Sequence, residues 1–181
     1  GIRNCIKENV DLITVMPYFL YPGMKLKDAV QRTAAISKEK GVKLVITKPL
    51  CYSEVLTFVI RDRLTKLKFD NDIQLKDKEC DVLVIGHGSS DRRATEAFIF
   101  TINAIKSSYR NVDYCFLELA EPTIQEGINS VIKKNPRIVL IMPYFLHKGI
   151  HIKHDVIKEV KNALKTHSFS NILIPDHIGV V

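Results

Sequence analysis

The chain has 181 residues, of which 46% are hydrophobic, and a formal net charge of +7. This length suits one ordinary domain or two small lobes with real cores, and no apolar run approaches the ~18 residues that a membrane span needs. The basic residues form no long run and do not alternate with aromatics, so we expect neither a nucleic acid nor a membrane as partner. The four cysteines are widely spaced, which predicts free thiols in a reducing cytoplasm.

Short β-rich runs alternate with helical periodicity along the chain. Six runs are nearly continuous in apolar residues, as expected of strands covered on both faces: Leu12–Met16, Lys43–Thr47, Val82–Ile85, Val112–Leu117, Ile138–Met142 and Ile172–Ile174. Helices are predicted between them, at Ser53–Leu67, Thr95–Tyr109, Thr123–Lys134 and His154–Leu164. This alternation predicts βαβ units, a parallel sheet and helices on both of its faces.

An internal repeat runs through the chain. Aligned without gaps, Gly1–Val30 and Gly127–Val156 are identical at thirteen of thirty positions, and both copies contain Met-Pro-Tyr-Phe-Leu with a Gly three residues later. Two copies of one unit explain this best. We therefore predict that residues 1–67 are the C-terminal half of a first unit and that residues 68–79 are a linker. Residues 80–181 would be a second unit without its last helix, which makes the chain a fragment of a longer protein.

Three candidate metal ligands follow consecutive predicted strands of the second unit. His87, Glu118 and His151 come after the third, fourth and fifth strands of the chain. Ligands of a doubly wound sheet gather at the carboxyl ends of its strands. Two imidazoles and a carboxylate suit a borderline divalent ion such as Co²⁺, Fe²⁺, Ni²⁺ or Zn²⁺. The three strand ends therefore predict a single metal site.

Each of these residues also has a structural interpretation. The Gly86-His87-Gly88-Ser89 segment could be a strand-to-helix turn, with Ser89 or Ser90 as the helix N-cap. Glu118 could be a strand-end carboxylate that pairs with Arg92 or Arg93. The convergence of three strand ends on one edge of the sheet favours the metal site over these alternatives.

The two copies differ where the site is predicted. All six histidines lie in the second unit, and the positions that match His151 and His147 in the first copy are Lys25 and Tyr21. We therefore predict that the first unit holds no metal and that the shared Met-Pro-Tyr-Phe-Leu segment is structural. Lys25 could face carboxylates of a substrate instead.

Three motifs of the second unit occur in order: Gly86-His87-Gly88-Ser89, then Phe116-Leu117-Glu118-Leu119-Ala120-Glu121-Pro122, then Pro143-Tyr144-Phe145-Leu146 leading to Gly149-Ile150-His151. They resemble the sirohydrochlorin cobaltochelatase and ferrochelatase family, the class II chelatases of cobalamin and siroheme biosynthesis. The resemblance covers essentially residues 80–181, and the repeat extends it to residues 1–67. It implies an α/β fold of tandem flavodoxin-like lobes with parallel sheets, the first lobe incomplete at its N-terminus. The lobes would pair within the full-length chain and hold a tetrapyrrole between them.

The resemblance also implies an activity and roles for residues. The protein would be a lyase that inserts Co²⁺ or Fe²⁺ into sirohydrochlorin, with Ni²⁺ as an alternative metal. His87 and His151 would be metal ligands, and Glu118 would be a further ligand or a proton acceptor. The substrate would be bound by Ser89, Arg92, Arg93 and Lys148. No nucleotide motif occurs, so we expect no nucleotide cofactor and ATP-independent insertion.

Three other functional classes remain as alternatives. The first is a metal or tetrapyrrole carrier without catalytic activity on the same scaffold. The second is a hydrolase that uses His87 and Ser89, although the sequence lacks the Gly-x-Ser-x-Gly elbow of such enzymes. The third is a basic nucleic-acid-binding module, for which net charge is the main support.

Overall fold

The computed structural model describes residues 1–146 and 150–174, and within these ranges it leaves out the side chains of residues 150–153. The chain divides into two compact units, Gly1–Cys51 and Tyr52–Val181. Within the described ranges, none of the helices has the length and apolar character that crossing a bilayer requires.

The first unit is a small parallel αβαβ arrangement. Its elements are α1 (Ile2–Lys7), β1 (Leu12–Val15), α2 (Met24–Lys40) and β2 (Lys43–Ile46). The two strands pair in parallel, with Leu12 opposite Lys43. Helix α2 ends at Gly41, whose φ of +68° is the left-handed conformation that commonly terminates a helix. The short connection from Gly41 then leads directly into β2.

The second unit is a four-stranded parallel sheet with helices on both faces. Its elements are α3 (Glu54–Asp70), a 3₁₀ turn (Asp77–Glu79), β3 (Asp81–Gly86), α4 (Arg92–Lys106), β4 (Asn111–Phe116), α5 (Ile124–Ile132), β5 (Val139–Pro143), α6 (Ile150–Leu164) and β6 (Ile172–Leu173). The strand order is β4-β3-β5-β6. The chain adds β4 on one side of β3 and then β5 and β6 on the other side. The carboxyl ends of β3 and its neighbours are therefore a topological switch point.

The core of the second unit lies on both sides of strands β3 and β5, which are buried along their whole length. Leu83 and Ile85 of β3 belong to a buried cluster with apolar residues of α5 and α6, such as Ile128 and Val160. Helices α3 and α4 pack on each other, α4 against β4 and α3 against β5. Because successive side chains of a strand alternate between faces, the apolar run Val82–Ile85 of β3 can serve both helix layers.

The predicted parallel α/β architecture is confirmed. All six predicted strands are present within two residues of the predicted bounds, and the four helices that the sequence located are present. Helix α6 begins at Ile150, four residues before the predicted start at His154. The two repeat copies have the same order of elements, α1-β1-α2-β2 and α5-β5-α6-β6. Helices α2 and α6 begin at equivalent positions of the repeat, Met24 and Ile150.

Helix α3 belongs to the second compact unit rather than the first. Its buried residues repeat every three or four positions and form one stripe: Leu56, Ile60, Leu64 and Leu67. The helix packs on α4 and β5, and the Arg61 guanidinium donates a hydrogen bond to the carbonyl of Ala104 at 3.1 Å. The compact units thus divide between Cys51 and Tyr52, whereas the sequence assigned residues 1–67 to the first repeat unit. The division into repeat units, residues 1–67 and 80–181, stays a prediction.

Of the predicted linker, residues 68–79, the first three are the last turn of α3, and the others connect α3 to β3 within the second compact unit. The Lys68 ammonium lies 2.6 Å from the Asp77 carboxylate, and the Ile73 amide donates to the Lys68 carbonyl. These bonds fold the segment back towards the amino end of β3. The cysteines are unpaired, as predicted, with Cys80 and Cys115 buried and Cys5 exposed.

Candidate functional site

His87 and Glu118 lie side by side because the pairing of β3 with β4 continues beyond the two strands. The Leu117 amide donates to the Gly86 carbonyl at 2.9 Å, and the Glu118 amide donates to the His87 carbonyl at 3.0 Å. Both side chains therefore project from the carboxyl edge of the sheet at neighbouring positions. This confirms the expectation that two of the candidate strand ends meet.

Gly88 allows the two loops to approach this closely. Its φ is +91°, and a β-carbon at this position would lie 1.7 Å from the Glu118 carbonyl oxygen. No L-residue with a side chain fits there without moving the backbone of the neighbouring loop. The glycine after His87 is therefore required by contact with the Glu118 backbone.

The His87 and Glu118 side chains are arranged to share a cation. The His87 Nε2 atom lies 3.2 Å from the Glu118 Oε1 atom, and the side chains are 40% and 56% exposed. The His87 Nδ1 atom lies 3.2 Å from the Gly88 carbonyl oxygen. With the ring proton assigned to Nδ1 for that bond, Nε2 presents a lone pair to the carboxylate. Two such acceptors approach each other favourably only with a proton or a metal ion between them.

The distance between these atoms also fits a metal. Ligand nitrogens and oxygens at 2.0–2.2 Å from one tetrahedral ion stand about 3.3–3.6 Å apart, close to the 3.2 Å between His87 Nε2 and Glu118 Oε1. The Phe145 ring packs edge-on to the His87 imidazole, with centroids 6.4 Å apart and planes at 69°. This buried ring limits the orientations that the imidazole can adopt.

His151 is placed near this edge by topology. It lies in the first turn of α6, which follows β5, and β5 pairs directly with β3. The Tyr144 amide donates to the Ile85 carbonyl at 2.8 Å, which holds the start of the β5–α6 loop against the end of β3. The His151 side chain, together with Lys148 and His147, lies outside the part of the chain that is described. The role of His151 as third ligand stays a prediction.

Among the side chains that the structure describes, no three His, Cys, Asp or Glu residues converge on one point. His87 and Glu118 thus form a pair, and a metal site at this pair would need a further ligand. In the sequence-based prediction, that ligand is His151.

Ser89, Arg92 and Arg93 make local contacts around the start of α4. The Ser89 Oγ atom accepts a hydrogen bond from the Asp91 amide at 3.0 Å, and Asp91 accepts one from the Arg93 amide, also at 3.0 Å. Asp91 is therefore the N-cap of α4, whereas the structural alternative assigned this role to Ser89 or Ser90. The sequence signal was present, since Asp is a preferred N-cap residue.

Each of these arginines already contacts a carboxylate. The Arg93 guanidinium lies 2.8 Å from Asp91, and its hydrogen bond lowers the pKa of the Asp91 carboxyl below its ordinary range. The Arg92 Nε atom lies 2.9 Å from Glu96, four residues along the helix. Both arginines are exposed, and such surface pairs are weak enough to open for a multiply charged ligand. The alternative pairing of Glu118 with either arginine is not observed, because Glu118 faces His87.

A cavity of about 940 Å³ lies away from this pair, along the outer edge of β4. Three cationic residues line it, Lys106, Arg110 and Lys134, and the last two are paired with the carboxylates of Asp81 and Asp113 respectively. Asp81 is fully buried, so its pair with Arg110 serves the fold. His87 and Glu118 thus lie at the strand ends, outside this cavity.

Comparison with known proteins finds relatives that are named as chelatases. Sirohydrochlorin cobaltochelatase of Priestia megaterium is 27% identical over 168 residues, which are 89% of this chain and 54% of that protein. Sirohydrochlorin ferrochelatase of the same organism is 24% identical over 183 residues, which are 99% of this chain and 66% of that protein. The chain thus spans between half and two thirds of the length of these relatives.

Solved structures share the fold. The structure described as SirB from Bacillus subtilis with Fe³⁺ has a TM-score of 0.78 and 23% identity, and the match covers 99% of this chain and 69% of that one. The structure of CbiX described as the terminal enzyme for biosynthesis of siroheme in denitrifying bacteria has a TM-score of 0.73 and 18% identity, with 94% and 70% covered.

The family model for CbiX matches residues 1–67 and 81–181, which is nearly all of the chain. The resemblance seen in the three sequence motifs is therefore confirmed, and the chain belongs to the CbiX family.

Proposed function

We propose that this chain is part of an enzyme that inserts a divalent metal ion, Co²⁺ or Fe²⁺, into a sirohydrochlorin-type tetrapyrrole without ATP. The observation that carries the proposal is the contact between His87 and Glu118, whose side chains stand 3.2 Å apart at the ends of two neighbouring parallel strands. The names of the relatives, which include both a cobaltochelatase and a ferrochelatase, support this substrate class.

The metal would be held by His87, Glu118 and His151 before insertion. Two imidazoles with one carboxylate bind Co²⁺, Fe²⁺ and Ni²⁺ with similar geometry, so the choice among these metals follows supply as much as ligand type. The hydrogen bond from His87 to the Gly88 carbonyl fixes the ring and leaves Nε2 for the metal. Half exposure of both side chains leaves room for the incoming macrocycle.

Insertion requires the loss of two protons from ring nitrogens. A carboxylate within reach of the metal can accept a proton as the metal leaves its protein ligands, and Glu118 is the carboxylate beside His87. His87 can take up the second proton at Nε2 once that atom no longer binds the metal. The same pair would thus hold the ion first and the released protons afterwards.

Binding of the substrate would depend on charge at the same edge of the sheet. Sirohydrochlorin carries eight carboxylates, and the guanidinium groups of Arg92 and Arg93 lie at the start of α4, where an anion is favoured. Ser89 and Lys148 complete the predicted set. The second lobe that would close over the substrate within the full-length protein is part of the same proposal.

The test is metal insertion by the protein and its variants. Free sirohydrochlorin is mixed with Co²⁺ or Fe²⁺, and the absorbance change on insertion is followed. His87→Ala and Glu118→Gln should each lower the rate by at least about 100-fold while circular dichroism stays unchanged, because each removes a ligand and a proton acceptor. His167→Ala is the matched control, since His167 bonds Asn129 instead.

The outcomes separate the proposal from its main alternative. Full activity in His87→Ala would refute the role of the pair. Tight binding of metal or tetrapyrrole by the unaltered protein, with no turnover under any metal, would establish a carrier instead of an enzyme.

A further inference from the structure

Leu119 combines a left-handed backbone with an exposed aliphatic side chain. Its backbone lies in the left-handed region, with φ of +61°. Its side chain is 67% exposed. Single exposed leucines are common on protein surfaces. A left-handed leucine is not, because its β-carbon crowds the following carbonyl oxygen, whereas Gly or Asn adopts this conformation at little cost.

The surrounding backbone imposes this conformation on position 119. On one side, the Glu118 amide is bonded to the His87 carbonyl, and the Glu118 carbonyl lies against Gly88. On the other side, the Phe116 amide donates to the Pro122 carbonyl at 2.8 Å. The chain must therefore reverse direction between Glu118 and Pro122. The turn would form more easily with Gly or Asn at position 119, so the fold itself does not account for leucine.

The leucine side chain also contributes little to the core. Two thirds of it faces solvent, and it directly follows the carboxylate that pairs with His87. Strained backbone conformations persist only where the surrounding structure imposes them, and they cluster at ligand-binding positions. Leu119 therefore adds an apolar surface beside the polar side chains of His87 and Glu118.

We propose that Leu119 is a substrate contact whose side chain packs against the flat face of the tetrapyrrole ring. The inference rests on the proposed function. Charged side chains can bind the carboxylates at the rim of the macrocycle, but they do not fix the height of the ring plane above the metal. An apolar group next to Glu118 does so, because the conjugated ring is the only broad apolar surface that sirohydrochlorin offers.

Leu119→Asn tests this role because asparagine keeps the turn and removes the apolar contact. Binding of metal-free sirohydrochlorin is measured by fluorescence titration, Co²⁺ affinity by calorimetry and Tm by circular dichroism. We expect roughly tenfold weaker sirohydrochlorin binding, from the loss of most of one buried leucine contact, with an equal or higher Tm. Co²⁺ affinity should stay within twofold. Leu119→Met should restore the binding of sirohydrochlorin.

Phe69→Asn is the matched control. Phe69 is 81% exposed in the last turn of α3, near the amino end of β3 and thus at the other edge of the sheet. This variant should bind sirohydrochlorin like the unaltered protein, because the site is not near that end of the strands.

Three outcomes would overturn the inference. The first is unchanged sirohydrochlorin affinity in Leu119→Asn, which leaves the proposed function standing if the unaltered protein binds and metallates the substrate. The second is weakened binding that comes with a clearly lower Tm, which would assign Leu119 to the fold. The third is an unaltered protein that does not bind sirohydrochlorin at all, which removes the proposed function as well.

Discussion

The two copies of Met-Pro-Tyr-Phe-Leu have the same sequence and different surroundings. In the second unit, Met142 is fully buried and Tyr144 is 1% exposed. In the first unit, the equivalent Met16 and Tyr18 are 61% and 38% exposed. The pentapeptide follows β1 in the first copy, and its first two residues end β5 in the second.

The neighbours of the strand explain the contrast. Strand β5 lies between β3 and β6 and is covered by helices, whereas among the described residues β1 pairs with β2 alone. An apolar strand is buried on both faces only when other elements, such as helices, cover both of its faces. The same methionine and tyrosine thus become core in one unit and surface in the other, and the amount of burial is set by residues distant in sequence.

The largest expected difference between the copies is in metal binding. His151→Lys introduces into the second copy the residue that the first copy has at Lys25. We expect at least a tenfold loss of Co²⁺ affinity by calorimetry, because lysine replaces an imidazole ligand. The reciprocal Lys25→His variant should gain no affinity. Equal affinity in His151→Lys would remove His151 from the proposed ligand set.

Truncation of the repeated methionine should affect the two copies unequally. Met142→Ala removes a fully buried side chain and should cost about 2–5 kcal/mol in the free energy of unfolding. Met16→Ala should cost about 0.5 kcal/mol or less, since most of Met16 is exposed. Urea unfolding measures both. Similar costs would show that Met16 is packed in solution against a part of the protein beyond the described contacts.

The repeated glycine gives a smaller contrast. A β-carbon on Gly127 would lie 2.7 Å from the β-carbon of Cys115, whereas a β-carbon on the equivalent Gly1 would meet no atom within 4 Å. In Gly127→Ala, the steric clash should cost about 1–3 kcal/mol in the free energy of unfolding. The better helix propensity of alanine should offset about 1 kcal/mol of this cost, so that the net effect is destabilising. Gly1→Ala should change stability by less than about 0.5 kcal/mol. A neutral Gly127→Ala variant would mean that α5 can shift away from β4 at little cost.

The smallest expected effect is a pH dependence of α5. Hydrogen bonds from the amide and hydroxyl of Thr123 lower the pKa of the Glu126 carboxyl. Because the folded-state pKa is the lower one, the contribution to stability is present above the ordinary pKa of a glutamate, about 4.3, and is lost as the pH falls through the folded value. Unfolding between pH 3 and 6 should therefore be less pH-dependent in Glu126→Gln. An unchanged pH profile would contradict this role of the helix cap.

Much of the site could be predicted from strand ends. The apolar runs at β3 and β4 located the two strands, and the residues that follow them, His87 and Glu118, meet as expected. Two features could not be predicted. The left-handed backbone of Leu119 arises from hydrogen bonds on both sides of the loop. The sequence Glu-Leu-Ala-Glu contains no Gly or Asn that would predict this conformation. The pairing of Arg92 with Glu96 and of Arg93 with Asp91 depends on rotamers that residue type does not fix.

The sequence by itself determined the parallel α/β class, the order of strands and helices, the repeat and the residues at the strand ends. These follow from periodicity and residue chemistry, which act over a few residues. Tertiary structure alone decided that α3 packs with the second unit, that Met142 and Tyr144 are buried while Met16 and Tyr18 are exposed, and that Gly88 lies against the Glu118 carbonyl. Each of these depends on contacts between segments far apart in the chain, where burial and steric exclusion act on surfaces that no local pattern encodes.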